Sequence, residues 1–328
     1  MKRHISFMAL LGFACSAFAL NIEDINIRDP FILTDSARQV YYMYRTADSI
    51  MAGGTVRGGV EVFTSRDLKN WNGPQTVMRI PDDNGLTGTV WAPEVHRYNG
   101  RYYLFATINS DIEWKKRREG WYPYRWRGTQ IFHADTPEGP FRPFSQFVTT
   151  PMDWMALDGT LWVEDNKPYM VFCHEWVQTD DGTMEAVELT PDLSAMASGP
   201  QTLFCGSAPG WSTGIEHSPG LPKGYITDGC YLYRTKTGKL LMIWSSFSNG
   251  DYAIGIAESV TGSVRGPWRQ QEKPLFVRNG GHGMIFKTLD GGLRLILHQP
   301  NSPLGAERAR IFELEDTGHT LELKSTDN

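Results

Sequence analysis

Three aspartates in this chain share a local setting: Arg28-Asp29-Pro30-Phe31, Leu157-Asp158-Gly159-Thr160 and Thr227-Asp228-Gly229-Cys230. Each stands just ahead of a short apolar run, a polar turn and a second run rich in aromatic and branched residues. Glu94 in Trp91-Ala92-Pro93-Glu94 and His282 in Gly281-His282-Gly283 take related places. Carboxyl groups gathered in one pocket repel one another, so at least one should be held protonated above its ordinary range. A protonated carboxyl beside an ionised one is the equipment for cleaving an acetal. One group donates to the leaving oxygen while the other draws a proton from water. A single Asp before Gly or Pro is ordinary turn chemistry. Recurrence at matched places is what points to catalysis.

Something must bring residues so distant in sequence together. Five stretches align as hairpins: 28–46, 91–109, 157–175, 226–246 and 281–299, with turns such as Asn99-Gly100, Asp165-Asn166, Thr237-Gly238 and Asp290-Gly291-Gly292. A third strand follows each one, as in "GVEVFTSRD", "TQIFHADT", "MEAVELTPD", "YAIGIAESV" and "ARIFELED". Turns such as "LKNW" and "VRGPWRQ" announce a fourth. Five units of four antiparallel strands predict an all-β, five-bladed β-propeller, whose innermost strands open around one axis. The blade openings Asp29, Glu94, Asp158, Asp228 and His282 are 65, 64, 70 and 54 residues apart. That exceeds a bare blade of about 40–45 residues, so the surplus belongs to loops. The glycine-histidine and tryptophan-aspartate pairs, or double glycines, of other propellers do not recur.

The N-terminus is set apart from this pattern. Lys2, Arg3 and His4 precede the apolar run "ISFMALLGFACSAFA", and Ala17-Phe18-Ala19 offers a small-residue cleavage site. Residues 1–19 therefore read as a signal peptide cleaved after Ala19, and 20–328 as the propeller, exported to the periplasm or beyond. Lipidation at Cys15 is disfavoured by Gly12-Phe13-Ala14 ahead of it. No later stretch is apolar enough for a membrane span. A formal charge of -5 gives no reason to expect nucleic acid. Cys173, Cys205 and Cys230 fit no zinc spacing; a Cys205–Cys230 bridge is conceivable, and buried thiols are preferred. Aromatics at 12% with 11 Trp suit an oligo- or polysaccharide partner, whose C–H faces stack on rings.

In order, "RDP", "WAPE", "DG", acid-Gly and "GHG" opening the five blades resemble glycoside hydrolase family 43, over essentially the whole mature chain. The resemblance implies an inverting hydrolase releasing terminal arabinofuranosyl, xylosyl or galactofuranosyl units. Asp29 would be the general base, Asp158 the residue that orients the acid and tunes its pKa, and Asp228 the general acid. The family usually places Glu-Gly-Pro where this chain has Asp228-Gly229-Cys230, so Glu216 in "GIEHSPG" is a second candidate for the acid. No cofactor is required, although His282 falls where members often hold a calcium ion or a water. Phe31 and Trp91 would wall the first sugar site, and Glu94 would meet a hydroxyl or hold its loop. Arg308 would reach substrate hydroxyls. The run "EWKKRREGWYPYRWRG" (113–128) reads as a solvated loop or a sugar-stacking rim through Trp121 or Trp126. Its Arg117, Arg118 and Arg125 would suit a uronate. The other readings are a non-catalytic sugar-binding propeller and a retaining fructan-type hydrolase, whose Asn-Asp-Pro-Asn motif is missing.

Overall fold

A computed structural model describes residues 19–50, 56–80, 88–116, 119–217 and 219–324. The expected leader lies outside them except for Ala19. Five antiparallel sheets follow one another along the chain, each a meander running from an inner to an outer strand. The inner strands are Phe31–Asp35, Gly88–Tyr98, Ala156–Glu164, Asp228–Arg234 and Gly281–Lys287. Each packs beside the next, and the fifth returns to the first, so the ring closes. This is the five-bladed propeller that the hairpin repeat predicts. Short additional strands extend the edges of the first, second and fourth blades.

Burial explains the arrangement. Second and third strands such as Leu240–Ser248 and Asp251–Ser259 are apolar on both faces, because each blade is sandwiched between two others. Met43, Tyr44, Leu104, Phe172, Met242, Trp244 and Leu295 are fully enclosed between blades. Closure uses the first described residues. Leu20–Asn21 pairs with Asn70 and Trp71 on the outer strand of blade one, and Asn26 bridges to Arg308 of blade five. Ile25 and Ile27, both buried, pin this segment into the seam.

The basic-aromatic run departs from the expected loop. Strand Arg101–Lys116 continues past the body of blade two and pairs with Pro123–Ala134 out to Lys116↔Pro123, forming a projecting ribbon. Trp114 meets Tyr124 edge-on at 5.6 Å, and Arg125 bonds Glu113 at 2.9 Å, so side chains across the ribbon hold it. Arg117 and Arg118 lie outside the described residues. Among the described residues Cys173, Cys205 and Cys230 are free; Cys173 and Cys230 are buried as expected, while Cys205 is half-buried.

Candidate active site

The five inner strands open with the same backbone device. Pairing with the second strand slips between Trp91 and Glu94, Leu157 and Thr160, Asp228 and Tyr231, and Gly281 and Met284. A residue of positive φ sits in each slip: Ala92 (43°), Asp158 (57°), Gly229 (49°) and His282 (49°). Asp29, at φ 50°, precedes the inner strand of blade one in the same way. A bulge with a left-handed residue bends the strand and re-aims its side chains, here toward the axis.

These bulges sort the opening residues into three tiers. Arg28, Trp91, Leu157, Asp228 and Gly281 form the outermost. Asp29, Ala92, Asp158, Gly229 and His282 come next, then Phe31, Glu94, Thr160, Tyr231 and Met284. The sequence alignment of the acids is thereby corrected. Asp29, Asp158 and His282 are equivalent, Asp228 stands one residue nearer the mouth, and Glu94 lies two residues deeper. An acid-Gly pair in sequence does not reveal on which residue the bulge falls.

The three aspartates nevertheless share one electrostatic site. Burial would push Asp29 up, but His282, His298 and Arg28 hold its carboxyl well below the usual range. Asp29 Oδ1 lies 3.2 Å from His282 Nδ1 and 3.1 Å from His298 Nδ1. Burial lowers His282 to about 4, so its ring is neutral at neutral pH, with Nδ1 lying beside the Asp29 carboxylate. Asp158 is driven well above its ordinary range by burial and by the charges of Asp228 and Asp29. Its Oδ2 accepts the Gly229 N–H at 3.1 Å, and its own N–H donates to Thr107 Oγ1 at 2.9 Å. Asp228, half-buried, rises to about 6 through burial and Asp29, opposed by the Tyr252 hydroxyl and by Arg28. Tyr252 donates to Asp228 Oδ2 at 2.9 Å. Arg28 is itself anchored by Glu307 at 3.1 Å and by Asn301 Oδ1 at 2.6 Å.

The remaining expected residues divide. Trp91 is half-buried at the mouth, with the Arg127 guanidinium 4.2 Å from its ring centre. Phe31 does not wall this site. It is buried in the channel, edge-on to His96, and lines a cavity of about 640 Å³ farther along the inner strands. Glu94 is buried with Oε2 2.8 Å from His96 Nε2, so it holds blade two from within the channel. Arg308 does not reach the site either: its guanidinium donates to the carbonyls of Glu23 and Glu307, at the seam where the ring closes. The arginine beside the aspartates is Arg28, whose Nε lies 3.9 Å from Asp29 Oδ1. Glu216 is exposed on the loop before blade four and has no hydrogen bond or ion pair among the described residues. Trp121 is buried, donating to Val177 O at 2.6 Å, and is no rim platform.

The residues around His282 do not fit a calcium cage. Calcium takes six to eight oxygens, whereas the nearest partners of Asp29 Oδ1 are two imidazole nitrogens, at 3.2 and 3.1 Å. Among the described residues no cluster of His, Cys, Asp and Glu has metal-holding geometry. Sequence reasoning missed His298, Tyr252, Asn301 and Glu307. His298 left the faintest signal, as a polar residue ending the apolar strand Leu293–Gln299. It is fully buried against the stacked ring of Tyr252.

The pattern of the glycosyl hydrolases family 43 matches residues 22–319. This chain belongs to family 43. Among solved structures, the chain is similar to an endo-arabinase from Bacteroides thetaiotaomicron, with 36% identity, TM-score 0.78 and coverage of 91% of this chain and 98% of that one. It also superposes on an α-L-arabinofuranosidase from Lactobacillus brevis, at 18% identity and TM-score 0.69, covering 89% of this chain and 92% of the other. An α-L-arabinofuranosidase of Humicola insolens is 24% identical over 236 residues, 66% of this chain and 44% of that protein. The chain spans 41% and 44% of the length of the curated relatives it matches.

Proposed function

We propose that this family 43 chain hydrolyses O-glycosidic bonds of arabinose- or xylose-type saccharides with inversion. Asp29 would activate water, Asp228 would protonate the leaving oxygen, and Asp158 would fix that acid. The division of the carboxyls carries this reading: Asp29 is held ionised while Asp228, in the same site, is lifted to about 6. Asp158 supports its neighbour through the Gly229 N–H, whose residue follows Asp228 directly. The chain would encounter its polysaccharide outside the cytoplasm, following the leader that residues 1–19 suggest. No bound cofactor enters any step.

Within that class the expectation is release of terminal arabinofuranosyl, xylosyl or galactofuranosyl units. Cleavage inside an arabinan is the second reading, favoured by the 36% identity to a protein described as an endo-arabinase. Aryl arabinofuranosides, xylosides and galactofuranosides, together with linear arabinan, form the deciding panel. Single sugars from arabinan support terminal release, and a ladder of oligosaccharides supports internal cleavage. Proton NMR of the freshly released sugar reads stereochemistry; a retained anomer would remove the inverting mechanism. Binding without turnover on every substrate would leave a sugar-binding propeller.

A further inference from the structure

A cleft of about 370 Å³ lies where the projecting ribbon of blade two faces blade three. That volume is in the ~300–1,000 Å³ range of small-molecule sites. Trp91, in the same tier as Asp228, forms one side of the cleft, and Tyr122 and Arg125 on the ribbon form another. Arg127 and Glu175 line it between them. Arg127 is buried and fully committed: it lies over Trp91, donates to Asn109 Oδ1 at 2.8 Å and pairs with Glu175. Tyr122 is 51% exposed, with its ring edge-on to Trp176 at 5.8 Å. Arg125 is paired with Glu113. Aromatic surface combined with forked donors is the chemistry that recognises a sugar ring and its hydroxyls.

Two observations fix which sugar. Trp91 shares the outermost tier with Asp228 and pairs with Thr107, whose hydroxyl accepts from the Asp158 backbone, so the cleft adjoins the strands that carry the acids. Glu175 is among the charges that raise Asp228, which places the cleft within that acid's field. A general acid delivers its proton to the bridging oxygen, so the departing sugar sits on the acid's side. Both guanidinium groups that line the cleft are paired with carboxylates, which suits a neutral unit.

We propose that Trp91, Tyr122 and Arg125, braced by the Arg127–Glu175 pair, hold the neutral sugar on the leaving-group side of the scissile bond. The inference rests on the hydrolase reading above. Its test compares a linear arabino-oligosaccharide with 4-nitrophenyl α-L-arabinofuranoside, which has no second sugar. Tyr122→Ala and Arg125→Ala should each lower kcat/KM on the oligosaccharide at least tenfold more than on the aryl furanoside, mostly through KM. Phe147→Ala, on the opposite face of the ribbon and 56% exposed, serves as the control that changes neither by more than about twofold. Equal losses on both substrates, or none on either, would overturn the assignment while leaving the hydrolase reading intact. A wild-type protein inert on both substrates would remove the hydrolase reading, and this inference with it.

Discussion

The phenol of Tyr252 donates to Oδ2 of Asp228 at 2.9 Å, and its ring stacks at 19° on His298, the imidazole that touches Asp29. One tyrosine thus touches Asp228 directly and Asp29 through a single intermediary. Burial and the two nearby carboxylates raise the phenol far above its ordinary range, so it remains a donor throughout the working pH. That bond favours the ionised form of Asp228 and pulls its pKa down. Tyr252→Phe should therefore raise Asp228 above about 6. The general acid works only while protonated, so the alkaline limb of the kcat/KM profile should move to higher pH. A limb that stays in place or moves down would show that Asp228 is not the group being titrated.

Separate roles for the two acids predict different sensitivity to the leaving group. A nitrophenolate departs with little help, whereas a sugar alkoxide must be protonated. Asp228→Asn should lose about 10²–10⁴-fold on an oligosaccharide and far less on a 4-nitrophenyl glycoside. Asp29→Asn should lose a similar factor on both, because water must be activated in either case. Glu216→Gln should stay within a few-fold of wild type. A dead Glu216→Gln beside a competent Asp228→Asn would transfer the acid role to that loop.

The propeller was legible because each blade repeats its own turn chemistry, and Asp29, Asp158 and Asp228 each stand ahead of an apolar hairpin. Two kinds of information were not. The one-residue offset of Asp228 depends on where the bulge falls, and Asp-Gly reads alike whether the left-handed residue is Asp158 or Gly229. Partners supplied by second and third strands, such as His298 and Tyr252, belong to no motif and become visible only once the blades pack. Arg308 and Phe31 show the converse error. Each is the right residue type near the right motif, yet Arg308 closes the ring and Phe31 fills the channel.

Gly229 offers a test of the bulge itself. Its φ is 49°, and a Cβ there would stand 2.7 Å from Cγ and Cδ2 of His282. Neither the left-handed backbone nor that contact suits an L side chain. Gly229→Ala should cost about 1–3 kcal/mol in denaturant unfolding. Because His282 must shift, it should also loosen Asp29 and lower kcat more than KM rises. An Ala variant with full stability and full rate would mean that His282 is not held where the structure places it.

Opposite pKa displacements of Asp29 and Asp228 imply opposite effects of Asp→Asn on stability. An unfolded aspartate titrates near about 3.9. Asp228, raised to about 6 in the fold, contributes stability that is complete below the unfolded value and is lost as pH rises through 6. At pH ~7.5 it is a half-buried charge beside Asp29, so the neutral Asp228→Asn should be more stable than wild type by about 1–3 kcal/mol. The gain should disappear by pH ~4, where the wild-type carboxyl is already protonated. Asp29 is depressed by His282, His298 and Arg28, so its contribution is present above the unfolded value and lost only as pH falls through the much lower folded value. Asp29→Asn should therefore lower Tm at pH ~7.5 and almost as much at pH ~4, because the folded carboxyl stays ionised well below that pH. Thermal unfolding of both variants at the two pH values reads all four signs. Equal destabilisation by both at neutral pH would contradict a site in which one carboxyl is held charged and its neighbour is pressed toward the acid.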